Sequence, residues 1–175
     1  GVAKEAGKRG LYLAVLEQMD KQFGKLFNYI KNNDNLRENT LILVCSDNGP
    51  ELGAGRAGIL KGYKTHLYEG GIRSSLVVWA PGFMKDKVKG RRNKESVFTA
   101  IDLTPSLLEF TYTKPDVQVK YDGENKIKTI LGVSTESREA PVFYSRPPDR
   151  KNYYGFDNSP DLAMRYGKWK LLCDY

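Results

Sequence analysis

Asp47 and Asn48 stand side by side directly after an apolar run, Leu41-Ile42-Leu43-Val44-Cys45, and Gly49-Pro50 ends that run at once. A carboxylate beside a carboxamide offers two hard oxygen donors, the ligand type that Ca²⁺ and Mg²⁺ take. The five apolar residues suit a strand covered on both faces in the middle of an α/β sheet. Ligands bind at the carboxyl ends of such strands in open α/β sheets. Asp, Asn and Gly also favour turns, so the segment reads as well as a plain strand-ending turn.

Lys64 follows on a loop punctuated by Gly53, Gly55, Gly58 and Gly62, and the chain returns through Glu69-Gly70-Gly71. A lysine near a bound divalent cation has a purpose if both hold one tetrahedral oxyanion. The metal polarises one oxygen, and the ammonium meets another or the leaving oxygen. A surface-loop lysine is the alternative. His66, the sole histidine, shares the loop and either faces a substrate or is an ordinary loop residue. No Gly-Lys-Ser/Thr closes the loop at the required spacing, which excludes a P-loop.

The elements that must position these groups follow from periodicity. Tyr12, Val15, Leu16, Met19, Phe23, Leu26, Phe27 and Ile30 recur at three- and four-residue steps. They predict an amphipathic helix over 10–32, packed along one stripe and stopped by Asn32-Asn33-Asp34-Asn35. Residues 36–39 then bridge to the strand at 40–45, and a second strand is expected at 75–79 before Ala80-Pro81-Gly82. Pro105 sits well in the first turn of a short helix. A strand at 140–145 and a hairpin of 162–166 with 169–174 across Gly167-Lys168 complete the pattern. Helix, short connection and strand in this order indicate an α/β layer architecture.

Composition excludes several classes. At 175 residues, 40% apolar and 28% charged, the chain is expected to be globular. No apolar run reaches the roughly 20 residues that cross a bilayer. The polar start shows no signal peptide, and with no initiating Met it suggests a processed or excised piece. Cys45 and Cys173 cannot form a disulfide framework or a zinc site, and Cys45 is expected to act as a small hydrophobe within its strand. The net charge of +7 is concentrated in residues 85–94. That segment lacks aromatics and helical periodicity, so it predicts a solvated loop rather than a nucleic-acid surface. An anionic substrate explains the basic excess equally well.

The ordered set of 41–50, Lys64 ahead of Glu69-Gly70-Gly71-Ile72-Arg73, and Trp79-Ala80-Pro81-Gly82 resembles the sulfatase family of the alkaline-phosphatase superfamily. The helix with Glu17, Met19-Asp20 and Gly24, the Ile101-Asp102-Leu103…Pro105 segment and Arg165-Tyr166-Gly167-Lys168-Trp169-Lys170 are similar to further family landmarks. The resemblance implies that Asp47 and Asn48 are two ligands to an active-site Ca²⁺. It implies that Lys64 contacts the sulfate as a catalytic group, and that Glu69, Gly70, Gly71 and Arg73 are architectural. His66 does not match the family's usual catalytic histidine, and its reading as a substrate contact or an ordinary loop residue rests on its place in the lysine loop. Family enzymes use a formylglycine made from Cys/Ser-x-Pro-x-Arg, and no such segment occurs here. The acidic pair that completes the calcium site is missing too.

The chain is therefore expected to be the C-terminal half of a sulfatase, whether excised, split or proteolytic, and inactive alone. Residues 1–111 would form the C-terminal part of a mixed-sheet α/β core, and 112–175 a partial subdomain with antiparallel strands. The expected partners are a sulfated small molecule or glycan and the missing N-terminal half, with no nucleic acid and no membrane span. By resemblance the setting is periplasmic, extracellular or lysosomal. A phosphodiesterase or phosphonate hydrolase of the same superfamily, or a non-catalytic interaction module, are the alternatives.

Overall fold

The computed structural model describes residues 7–115, 117–146 and 159–173. Helix α1 (Gly7–Lys31) follows the predicted apolar steps. The expected packing along its whole stripe is found only at its C-terminal end. There Ile30 is buried, and the Phe27 ring meets Trp79 edge-on at 5.7 Å. Nearer its start, Tyr12 and Leu16 are half-buried while Leu11, Val15 and Met19 are exposed, Val15 at 66%. The helix α2 (Asp34–Asn39) replaces the expected bridge. Asn33 makes it possible, its side-chain oxygen accepting the Leu36 N–H at 3.1 Å as an N-cap.

Strand β1 (Ile42–Cys45) pairs antiparallel with β2 (Leu76–Trp79), Ile42 opposite Trp79 and Cys45 opposite Leu76. Coverage on both faces is not observed: Ile42, Leu43 and Val44 are half-buried and Cys45 is exposed. The reason is that β2 is the only described neighbour of β1. Cys45 consequently does not behave as the buried small hydrophobe expected from its sequence context.

The helix α3 (Glu69–Ile72) lies between the two strands in sequence. A 3₁₀ turn at Ala100–Asp102 leads into α4 (Leu103–Phe110), with Pro105 in its first turn, and α5 (Ile127–Ile130) follows. Strands β3 (Val142–Ser145), β4 (Leu162–Tyr166) and β5 (Trp169–Cys173) form a second sheet in the order β3-β4-β5. The predicted hairpin across Gly167-Lys168 is present, with Tyr166 opposite Trp169. The chain thus combines helices with antiparallel sheets in an α/β arrangement.

A polar knot joins these parts. Asp102 is fully buried, and its Oδ1 accepts from Arg138 Nη1 at 2.8 Å and from the Glu124 N–H at 2.7 Å. Its Oδ2 accepts the Thr99 N–H at 2.8 Å, while Arg138 Nε donates to the Ala140 carbonyl at 2.8 Å. Glu124 in turn accepts the Glu139 and Ala140 N–H groups and faces Lys126 Nζ at 3.0 Å. Burial works to raise the Glu124 carboxyl, but the Ala140 and Glu139 N–H groups and Lys126 outweigh it, lowering the pKa from 4.5 to about 2.

Two predictions follow from the chemistry of this knot. Removing one partner of a buried pair strands the other charge, so Arg138→Met is expected to cost about 3–5 kcal/mol in denaturant unfolding. A loss within experimental error would deny the pair its structural role. For Glu124 the folded pKa lies below its ordinary value, so its stabilisation is full above about pH 4.5 and is lost as pH falls toward about 2. The thermal midpoint is expected to drop over that window in the unsubstituted chain and to drop less in Glu124→Gln. Parallel curves would show that Glu124 does not contribute.

Candidate functional site

The end of β1 is shaped by its own polar groups. Ser46 Oγ donates to the Asn48 carbonyl at 2.8 Å and tightens the turn. Asn48 Nδ2 donates to the Gly49 carbonyl at 3.0 Å, which leaves Oδ1 as the oxygen available for a ligand. Asp47 is exposed, and its carboxylate makes no ion pair or hydrogen bond with any described residue. These two oxygens suit a hard cation, but Ca²⁺ takes about six to eight oxygen ligands. Among the described residues no group of three or more His, Cys, Asp or Glu side chains could hold a metal ion. The pair therefore fits part of a calcium shell and not a whole one.

Backbone hydrogen bonds bring the lysine loop to this strand end. The Gly49 N–H donates to the Gly71 carbonyl at 2.7 Å, and the Lys64 N–H donates to the Pro50 carbonyl at 2.9 Å. The Gly70 N–H donates back to the Lys61 carbonyl at 2.7 Å. A Cβ on Gly49 would lie 1.8 Å from the Gly70 oxygen, and one on Gly71 would lie 2.0 Å from the His66 oxygen. Only glycine permits this approach, which gives Gly49 and Gly71 a physical reason at their positions.

Lys64 and the Asp47-Asn48 pair are thus held by one backbone knot, but their side chains do not touch. The Lys64 side chain is 45% exposed, and its Nζ lies 3.7 Å from Glu51 Oε2. Thr65 beside it has φ +79, a left-handed conformation that a β-branched residue adopts only under constraint. His66 is half-buried, its ring 4.0 Å from that of Tyr63 and 6.1 Å from that of Tyr68.

Further charged residues complete the arrangement. Glu69 is braced only weakly by Arg73, at 4.0 Å. Its stronger partners come from the C-terminal hairpin, Lys170 at 2.9 Å and Arg165 at 3.4 Å. The hairpin therefore grips the short helix α3, which carries both the Gly71 carbonyl and the Gly70 N–H. Glu51 is the other addition. Nothing in the local sequence distinguishes it from a loop carboxylate, whereas Arg165 and Lys170 already stood out as part of a similar landmark.

Residues 3–113 match the family model described as Sulfatase. Arylsulfatase A of Homo sapiens is 29% identical over 170 residues, covering 95% of this chain and 31% of that relative. N-acetylgalactosamine-6-O-sulfatase of Bacteroides thetaiotaomicron is 30% identical over 182 residues, covering 95% of this chain and 32% of that relative. A solved structure of a protein in complex with a neocarrahexaose superimposes with a TM-score of 0.73 at 29% identity, covering 95% of this chain and 34% of that one. The chain spans about a third of the length of these curated relatives.

If the hairpin fixes α3 through Glu69, Lys170→Met should loosen the knot without unfolding the sheet. A lost charged hydrogen bond of about 1.5 kcal/mol corresponds to about tenfold faster amide exchange. That acceleration is expected at the Gly49 and Gly70 N–H groups. Unchanged exchange at both would show that the knot stands without the hairpin.

Proposed function

The chain belongs to the sulfatase family, and we propose that it serves in hydrolysing sulfate esters, with Lys64 on the sulfate and Asp47 and Asn48 as two calcium ligands. The observation that supports this most is the knot joining the strand end at Gly49 to the loop at Lys64 through Gly71 and Pro50. It keeps two oxygen donors and an accessible ammonium on neighbouring backbone segments. When bound, calcium supplies positive charge that neutralises sulfate oxygens.

The chain's own residues do the remaining positioning. Asn48 is oriented by its Nδ2 bond to Gly49, which presents Oδ1 outward. Lys64 offers ammonium donors to a sulfate oxygen and to the leaving oxygen as charge develops there. His66 packs within the loop against Tyr63 with both ring nitrogens buried, so the sulfate contact in this reading rests on Lys64 and not on the expected His66. No Cys/Ser-x-Pro-x-Arg occurs in this sequence, so a formylglycine nucleophile and the remaining calcium ligands belong to a part of the protein outside it.

The substrate in this reading is a sulfated small molecule or glycan. A net charge of +7 favours such an anion. The Bacteroides thetaiotaomicron relative is by name a sulfatase acting on an amino sugar, and the superimposed protein holds a neocarrahexaose. No helix among the described residues is long and apolar enough to cross a membrane. A periplasmic, extracellular or lysosomal setting is part of the same proposal.

The complete protein carrying this chain is expected to turn over an aryl sulfate far faster than the matching phosphate ester. Lys64→Ala should lower kcat/KM by about 10²–10³. The chain alone should give no turnover, and calorimetry should find its Ca²⁺ affinity weaker than about micromolar, since part of the shell is elsewhere. Faster phosphate-ester turnover would favour the phosphodiesterase alternative. Tight Ca²⁺ binding by the chain alone would overturn the partial-shell assignment.

A further inference from the structure

Lys64 is one end of a row of three charges. In the first turn of α1, Lys8 Nζ lies 2.9 Å from Glu51 Oε1, and Oε2 of the same carboxylate lies 3.7 Å from Lys64 Nζ. The row is anchored at its Lys8 end and at Glu51. Arg9 Nη1 donates to the Ala54 carbonyl, which fastens the start of α1 to the turn that follows Glu51. That turn is closed by the Ala54 and Gly55 N–H groups, both donating to the Glu51 carbonyl, at 3.1 and 2.9 Å. Neither contact involves the Glu51 side chain, so the carboxylate can be altered with its backbone support intact.

The contacts of Glu51 with these two lysines are unequal. The Lys8 contact is a hydrogen-bonded ion pair, whereas 3.7 Å to Lys64 is charge attraction beyond hydrogen-bond reach. Lys64 therefore keeps its three N–H donors for an oxyanion, while the carboxylate still draws its ammonium to one side. The Glu51 side chain is 23% exposed, so solvent screens this attraction only in part. The same negative charge opposes any anion that approaches Lys64. Lys8 restrains the opposition by holding the carboxylate on its own side.

We propose that Lys8 and Glu51 are positioning residues that set the anion affinity of Lys64. Glu51 aims the ammonium and weakens sulfate binding, and Lys8 limits that weakening. The inference rests on the reading of Lys64 as the sulfate-binding group. It makes a distinctive prediction, because removing two adjacent charged residues should move one affinity in opposite directions. Loss of a merely structural contact would move it the same way for both.

The test titrates inorganic sulfate into the chain at ionic strength held constant with chloride, following the Lys64 amide by NMR. Glu51→Gln is expected to bind sulfate about threefold tighter, and Lys8→Met about threefold weaker, the size of a partly exposed ion pair. Shifts in the same direction, or affinities equal to the unsubstituted chain, overturn the inference. Lys64→Met is expected to abolish saturable sulfate binding at this loop, read from the Tyr63 and Thr65 amides. If that variant still binds sulfate there, the reading of Lys64 fails, and this inference with it. No sulfate response at Lys64 in the unsubstituted chain also overturns the inference, since all three charges lie within it.

Discussion

The hydrogen bond from the Gly49 N–H to the Gly71 carbonyl, 2.7 Å long, is the contact on which the candidate site depends. It sets how far the Asp47-Asn48 turn lies from the short helix that closes the lysine loop. A buried backbone donor left unpaired is costly, so the bond also fixes the register between these segments. The approach excludes a side chain from Gly49, where a Cβ would run into the Gly70 carbonyl. The lysine loop inherits its position from this contact, through Gly70 to Lys61 and through Pro50 to Lys64.

Salt links then stabilise what the backbone arranges. Among the described residues the buried apolar side chains are few, Ile30, Leu67, Ile130 and Val142 beside three alanines, and the largest completely inaccessible side chains are those of Asp102 and Ser106. Polar networks therefore carry much of the long-range definition. Arg138 to Asp102 and Lys170 to Glu69 each cross the boundary expected between residues 111 and 112. Such pairs add little net stability over an apolar substitute, but they penalise misplacement strongly because an unpaired buried charge is worse than none. That is the property needed to hold a site built from distant segments.

Sequence pattern made the elements legible where the signal was local. The three- and four-residue steps of α1 and the Gly167-Lys168 hairpin are visible in the residues themselves. So is the strand that delivers Asp47. Helix α2 is hidden in the sequence because Asn33, a helix stop signal by residue type, is the cap of the next helix. The Asp47, Asn48 and Lys64 set was legible from residue type and resemblance, but Glu51 was not. Its importance comes from a fold that places Lys8 and Lys64 on either side of it. Burial was least legible: the apolar content of β1 and α1 says that they seek cover, and not whether this chain provides it.

That uncovered surface and the partial metal shell have a common physical logic. Exposed apolar area costs about 25 cal/mol per Å² relative to burial, so Leu11, Val15 and Met19 favour a covering body. Among the described residues β1 is paired along one edge alone, which favours another strand, and the proposed calcium ligands Asp47 and Asn48 would need further oxygen donors. These demands arise close together, because Lys8 and Arg9 fasten the start of α1 to the turn just beyond Pro50. In a chain that spans about a third of its relatives' length, burial of the helix and completion of the site are thus expected to occur as one event.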